Sequence, residues 1–232
     1  MRVCRPVPGG HKPVADRVEI QLHRMARVRI LGAEFVTSAS RAGDLPRSPL
    51  PELAFAGRSN VGKSSLINAI AGRTLARTSA APGKTRLANY YAIRPDKGRA
   101  FHLVDLPGYG YARGDRSGGV FEALAREYFF GEQGEAVRGA IAGVMLLVDA
   151  RHPGLEADVQ AFQWFAAQGP PVCLVATKAD KLSRNERQRT ARALADVFGQ
   201  AALMTSVTAG EGIEDIWTWI VQHLQQWTPP SR

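Results

Sequence analysis

LAFAGRSNVGKSSLINAIAG, Leu53 to Gly72, is the stretch whose reading decides the fold. Its first five residues are an apolar strand. Its last ten have helical spacing, with Leu66, Ile67 and Ile70 on one side. Between them GRSNVGKS fits the pattern G-x-x-x-x-G-K-[ST]. In such a loop Gly57, Arg58, Ser59, Asn60, Val61 and Gly62 curl so that backbone N–H groups point inward at phosphate oxygens. The helix that follows adds the positive end of its dipole. Lys63 is placed to reach the β- and γ-phosphates, and the Ser64 hydroxyl to hold Mg²⁺. The competing reading is a structural glycine turn; the strand before and the helix after argue against it.

Outward from this loop, strand and helix patterns alternate. LANYYAI and AFHLVDL are strands joined by the turn RPDKGR, and FEALAREYFF is an amphipathic helix. AGVMLLVDA and PVCLVAT are buried strands on either side of a helix around LEADVQAFQWFAAQ. Ser183 with Glu186 three residues on is a capping box that starts a helix to about Phe198. AALMTSV is a last strand, and IEDIWTWIVQHLQQW a last helix. Ile213, Ile216, Trp217, Ile220 and Leu224 form one apolar stripe on it, at core spacing. The alternation predicts an α/β domain with a largely parallel sheet, whose ligands sit beyond the carboxyl ends of the strands.

The other polar motifs fall at those ends. DLPG places Asp105, Leu106, Pro107 and Gly108 after a strand, with Asp105 suited to Mg²⁺ through a water and the Gly108 N–H facing the γ-phosphate. Gly83, Lys84 and Thr85 lie in the polar loop PGKT, where Thr85 is the candidate second hydroxyl on Mg²⁺. A loop ordered by γ-phosphate and metal together is a switch, and Pro82, Gly83, Gly108 and Gly110 suit segments that rearrange. TKAD, Thr177, Lys178, Ala179 and Asp180, fits [NT]-K-x-D. A carboxylate there accepts two hydrogen bonds from guanine, whereas adenine would leave it unpaired. The stem of Lys178 can cover the base. Thr205, Ser206 and Val207 follow the last strand, where a backbone N–H can meet the guanine oxygen. GTP or GDP with Mg²⁺ is the expected ligand.

Composition bounds the setting. The chain has 232 residues, 45% hydrophobic and 22% charged, which fits a soluble globular protein. No run reaches the about eighteen apolar residues of a membrane span, and the first residues have no apolar segment between their charges, so they are not a secretory signal. The two cysteines, Cys4 and Cys173, make no disulfide framework or zinc spacing, in keeping with a reducing, cytoplasmic setting. A formal net charge of +9 and a pI near 10.1 favour a polyanionic partner such as nucleic acid, ribosome or acidic membrane, against a merely solvated Arg-rich surface. Residues 1–24 are basic and turn-rich, an expected disordered extension, and Met25 could be the true start. Residues 25–50 are a lead-in segment ending in turns, and 51–228 are the nucleotide-binding domain.

On FAGRSNVGKSSLIN, RTSAAPGKT, VDLPGYGYA and TKAD the sequence resembles the EngB family of bacterial GTPases, also called YihA or YsxC. The resemblance runs from about Phe35 to the last helix. It implies a P-loop GTPase (Ras-like) domain with a six-stranded, mostly parallel mixed sheet flanked by helices on both faces. It implies a role in assembly of the large ribosomal subunit and a need for the protein in normal cell division and septation. TSVTAGEG departs from the family's Ser-Ala-Lys loop. The resemblance also implies that Tyr109 stands where Ras-like proteins carry a glutamine that orients water, so hydrolysis should be slow.

Lys63, Thr85, Gly108 and Asn60 are the candidates for catalysis. Asn60 is either a ligand-side neighbour of a K⁺ ion, as in related GTPases, or an ordinary turn residue. Tyr109, with an ordinary pKa near 10, suits packing or a partner contact better than acid–base work. Arg73, Arg77, Lys84, Arg86, Arg94, Lys97 and Arg99, opposed by Asp96, are expected to form a basic rim at the first switch that meets rRNA. A monomer is expected. Two further classes stay open: a P-loop small-molecule kinase, and a non-catalytic GTP-gated binding module of the division machinery.

Overall fold

Strand β2 (Glu52–Gly57) is buried along its whole length, so it belongs inside a sheet covered on both faces. In the computed structural model, residues 28–46, 48–76, 87–109, 118–131 and 140–229 are described. Among them the chain runs β1 (Ile30–Ala39), β2, α1 (Lys63–Ala71), β3 (Ala88–Pro95), β4 (Phe101–Asp105), α2 (Gly118–Phe130) and β5 (Ile141–Asp149). It continues through α3 (Glu156–Ala167), β6 (Val172–Thr177), α4 (Arg184–Phe198), β7 (Leu203–Met204) and α5 (Ile213–Gln226).

The strands form one sheet in the order β1-β3-β4-β2-β5-β6-β7. The pairs from β4 to β7 are parallel, and β3 pairs antiparallel with both β4 and β1. Alternation along β2 feeds two cores. Leu53 and Phe55 face α1 and α5, where Leu66, Ile67, Ile70, Ile216, Trp217, Ile220 and Leu224 are buried. Ala54 and Ala56 face the other side, with Tyr128 and Phe129 of α2, Phe165 of α3, and Leu194 and Phe198 of α4. The α/β class and the helices on both faces agree with the sequence pattern.

The strand count is corrected from six to seven. The addition is β1, which lies in what the sequence presents as a lead-in. It pairs with β3 from Ile30↔Pro95 to Ala39↔Ala88, with two register shifts. Ala33 and Ala39 are its buried points, too few and too irregular to announce a strand. The Ser38 hydroxyl donates to Asn89 Oδ1 at 2.6 Å, and Arg73 donates to the Ala33 carbonyl at 3.2 Å. At the other edge β7 is only two residues long, because the chain turns at Thr205 to build a loop. The capping box at Ser183 and Glu186 forms as its spacing requires. No described helix is long and apolar enough to cross a membrane.

Candidate nucleotide site

The carboxyl ends of β2, β4, β5, β6 and β7 converge on one edge of the sheet, and the motif residues gather there in two halves. In the first half, β2 ends at Gly57, where an added Cβ would lie 2.9 Å from both the Leu147 carbonyl and Val61 Cγ1. Only glycine lets the strand turn that tightly against β5. Asn60 and Gly62 then take left-handed backbone, φ 62° and 104°. Those two reversals curl the loop before Lys63 opens α1. Lys63 Nζ forms an ion pair with Asp105 Oδ1, both side chains nearly buried. Ser64 is half-buried in the first turn beside it.

Asp105 ends β4 opposite Phe55. The next residues continue alongside the phosphate loop: Leu106 N–H donates to the Phe55 carbonyl at 3.0 Å, and Tyr109 bridges Arg58 in parallel register. Gly108 is pressed between them. A Cβ there would sit 2.9 Å from Ser59 Oγ and 3.0 Å from Ser59 N. Tyr109 turns away from this edge into the core, 7% exposed, and its hydroxyl donates to Asp158 Oδ1 at 2.9 Å. Burial, and then the neighbouring Asp158 charge, push that hydroxyl far above the ordinary tyrosine pKa. It packs, and acid–base work is closed to it.

In the second half, the Thr177 hydroxyl lies 2.6 Å from the Val61 carbonyl and 3.1 Å from that of Val148, tying β6 to the phosphate loop and β5. Lys178 adopts φ 60° and its Nζ donates to the Asn60 carbonyl at 2.7 Å and to Asp149 Oδ2 at 2.8 Å. Arg151 grips the same carboxylate with Nε at 2.9 Å and Nη2 at 2.7 Å. Burial alone would raise the Asp149 pKa, but hydrogen bonds from Arg151 and Lys178 outweigh it and hold the carboxyl well below the usual range.

Asp180 Oδ1 accepts from Ser206 Oγ at 2.7 Å, and this bond, ahead of Lys181, lowers its pKa. Ser206 and Glu211 exchange both backbone bonds, and Thr205 Oγ1 donates to the Glu211 carbonyl at 2.7 Å, closing the loop that contains Val207. Arg187 spans the two base-side segments: Nε donates to the Ala179 carbonyl at 2.9 Å and Nη1 to Glu211 Oε2 at 2.7 Å.

Residues 57–64, 105–108, 177–180 and 205–207 are thus brought to one edge, linked by Lys178 to Asn60 and by Thr177 to Val61. Gly83, Lys84 and Thr85 lie outside the described residues, as do Pro82, Gly110, Arg77, Arg86 and residues 1–24. Asn60 is exposed with left-handed backbone, a conformation asparagine tolerates better than most residues and one compatible with both roles expected of it.

Three members of the expected basic rim are corrected. The end of β3 near Asn89 pairs with Asp105 at the site, while Ile93 pairs with Phe101 at the start of β4. Arg94, Lys97 and Arg99 therefore lie toward the opposite end of the sheet, and Asp96 pairs with Arg29. Arg99 donates to the Trp227 carbonyl and covers its ring. Sequence proximity misled here because an antiparallel strand carries the chain away from the switch. Asp149, Arg151, Arg187 and Glu211 were missed. An aspartate ending a continuous apolar strand, with arginine two residues on, was the signal for the first two; the last two meet only in the fold.

The family model described as 50S ribosome-binding GTPase matches residues 52–178. A relative named Probable GTP-binding protein EngB, from Symbiobacterium thermophilum, is 42% identical over 84% of this chain and 97% of its own. Another of that name, from Pelotomaculum thermopropionicum, is 42% identical over 82% of this chain and 93% of its own. Among solved structures, a probable GTP-binding protein engB matches with TM-score 0.56 and 25% identity over 75% of this chain and 99% of that one. Era in complex with MgGDPNP and nucleotides 1506–1542 of 16S ribosomal RNA matches with TM-score 0.61 over 78% of this chain and 58% of that one, at 20% identity, a likeness of fold alone.

Proposed function

This chain belongs to the EngB family of GTP-binding proteins, and on that premise we propose that it binds GTP and GDP with Mg²⁺, hydrolyses GTP slowly, and acts as a switch in large ribosomal subunit assembly. The observation that carries the reading is the meeting of Lys63, Asp105 and Asp180 on one sheet edge, joined through Lys178 and Thr177.

The donor set fits the ligand. Left-handed Asn60 and Gly62 turn the loop's N–H groups together for phosphate. The Asp180 carboxylate, ionised and steadied by Ser206, suits the paired donors of guanine. Ser64 and Asp105 would hold Mg²⁺ together with the nucleotide's own oxygens, and Thr85 is the further hydroxyl we propose for it. Bound Mg²⁺ neutralises charge between the β- and γ-phosphates. Lys63 must exchange Asp105 for phosphate oxygens, and that exchange leaves the carboxylate to the metal side. The Gly108 N–H faces the γ-phosphate and reports its presence. Tyr109 cannot orient water, so the turnover rests on positioning and charge, with K⁺ near Asn60 or a ribosomal group supplying the remainder.

The polyanionic partner is supported by the net charge of +9 and by the family's description, and a cytoplasmic location and a role in division follow the same reading. The test is GTP hydrolysis by the purified protein in KCl and in NaCl, with and without large subunits. Stimulation by subunits is expected, and their binding should weaken steeply with salt. The burial of Tyr109 also favours a second reading, a GTP-gated binding module without turnover. Tight GTP binding with no hydrolysis in any of those conditions would select it.

A further inference from the structure

Asp158 lies in the first turn of α3, 1% exposed, and belongs to none of the sequence motifs of the site. Its Oδ1 accepts the Tyr109 hydroxyl at 2.9 Å, and its Oδ2 has no partner among the described residues. A buried carboxylate with one hydrogen bond is costly, and its retention calls for a reason. Burial raises its pKa above the ordinary carboxyl value; the Tyr109 hydrogen bond and the charge of Arg58 in the phosphate loop oppose that shift, and the charge of Asp149 adds to it.

The bonded tyrosine leads straight to the γ-phosphate sensor. Tyr109 pairs in strand register with Arg58, and Gly108, one residue earlier, is packed on the backbone of Ser59 with no room for a Cβ. A hydroxyl held 2.9 Å from a rigid helix fixes where the Tyr109 ring enters the core. The ring fixes the Tyr109 backbone, and that sets the position of the Gly108 N–H over the phosphate loop.

We propose that Asp158 is a positioning residue for the γ-phosphate response: through the Tyr109 hydroxyl it holds Gly108 against Ser59. The residue that replaces the water-orienting glutamine is in this view an anchor, tied down from below the sheet edge. The inference rests on the GTP-switch reading above. It concerns discrimination of GTP from GDP, because only GTP offers an oxygen to the Gly108 N–H.

Four variants test it: Tyr109→Phe, which keeps the ring, Asp158→Ala, the two combined, and Asp158→Asn. Kd is measured for GDP and for a non-hydrolysable GTP analogue, and kcat for GTP. Each of the first two should weaken the analogue about tenfold and lower kcat by a similar factor, with GDP binding within about twofold. The double variant should be no worse than either single one, since both remove one contact. Asp158→Asn, which keeps an acceptor for the hydroxyl, should recover most of the loss. Unchanged analogue-to-GDP ratios, tighter analogue binding, equal loss of GDP and analogue, or additive losses in the double variant would each overturn the proposal. GDP binding also reports folding. If Asp158→Ala does not fold, Tyr109→Phe and Asp158→Asn decide. If the wild type binds both ligands but never hydrolyses GTP, the hydrolysis reading fails while the affinity ratio still judges Asp158. If it binds neither, the GTP-switch reading fails, and the inference with it.

Discussion

The two halves of the nucleotide site are built on different principles. On the proposed base side, each group assigned to guanine is already held by another residue: Asp180 by Ser206, the 205–211 loop by its own backbone ladder, and both segments by Arg187. On the phosphate side the principal contact is the ion pair of Lys63 with Asp105, which on the proposed reading is given up when a metal–triphosphate arrives. A prearranged half binds with little ordering cost, whereas a half with two alternative pairings can switch. On that reading, recognition and response fall to opposite ends of one ligand.

The largest test of this division is Asp180→Asn. The amide sets donors against guanine's donors, and affinity for GDP should fall roughly a thousandfold. Titration with fluorescent GDP reads it, and retained binding would dissolve the base half as guanine reader. Lys63→Ala should follow, weakening GDP about a hundredfold through loss of a charge-assisted contact to phosphate. Binding that instead improves would mean that the Asp105 pair dominates, and the phosphate half would have to be redrawn.

Arg187→Ala removes the bonds that join the Ala179 carbonyl to Glu211. GDP should dissociate about tenfold faster with the GTP-to-GDP affinity ratio unchanged. A changed ratio would show that the halves are not separate. The smallest effect is one of stability. Asp149→Asn should cost about 2 kcal/mol at neutral pH, read by denaturant unfolding. The folded Asp149 carboxyl sits below its unfolded value of about 3.9, so its contribution is present above that pH and lost as pH falls through the lower folded value. The gap between wild type and variant should therefore be full at pH 7 and narrow below about pH 4.

The phosphate half was legible in the sequence because its function demands particular residues at fixed spacing within one loop. Gly57, Gly62 and Lys63 cannot be moved without losing the curl. The buried strands were legible for a similar reason: β5 and β6 are continuous apolar runs. What the sequence concealed depends on meetings across the fold. Arg187 and Glu211 stand 24 residues apart and are joined only because α4 crosses beneath the last loop. Tyr109 and Asp158 are 49 apart, and neither has a local pattern that announces a buried bond. The strand β1 alternates weakly, with Leu31 and Phe35 exposed, so its place in the sheet comes from its partner rather than from its own composition.

That strand also bears on how the chain is made. Ser38 and its partner Asn89 are 51 residues apart, so β1 leaves the translating ribosome well before β3 exists to receive it. Until then it is an unpaired segment with apolar side chains and unsatisfied backbone, the kind that pairs with strangers. Its closure must wait for the loop and helix between them, a long-range step of the sort that slows folding. Completion of the sheet at β1 therefore waits on the synthesis of β3.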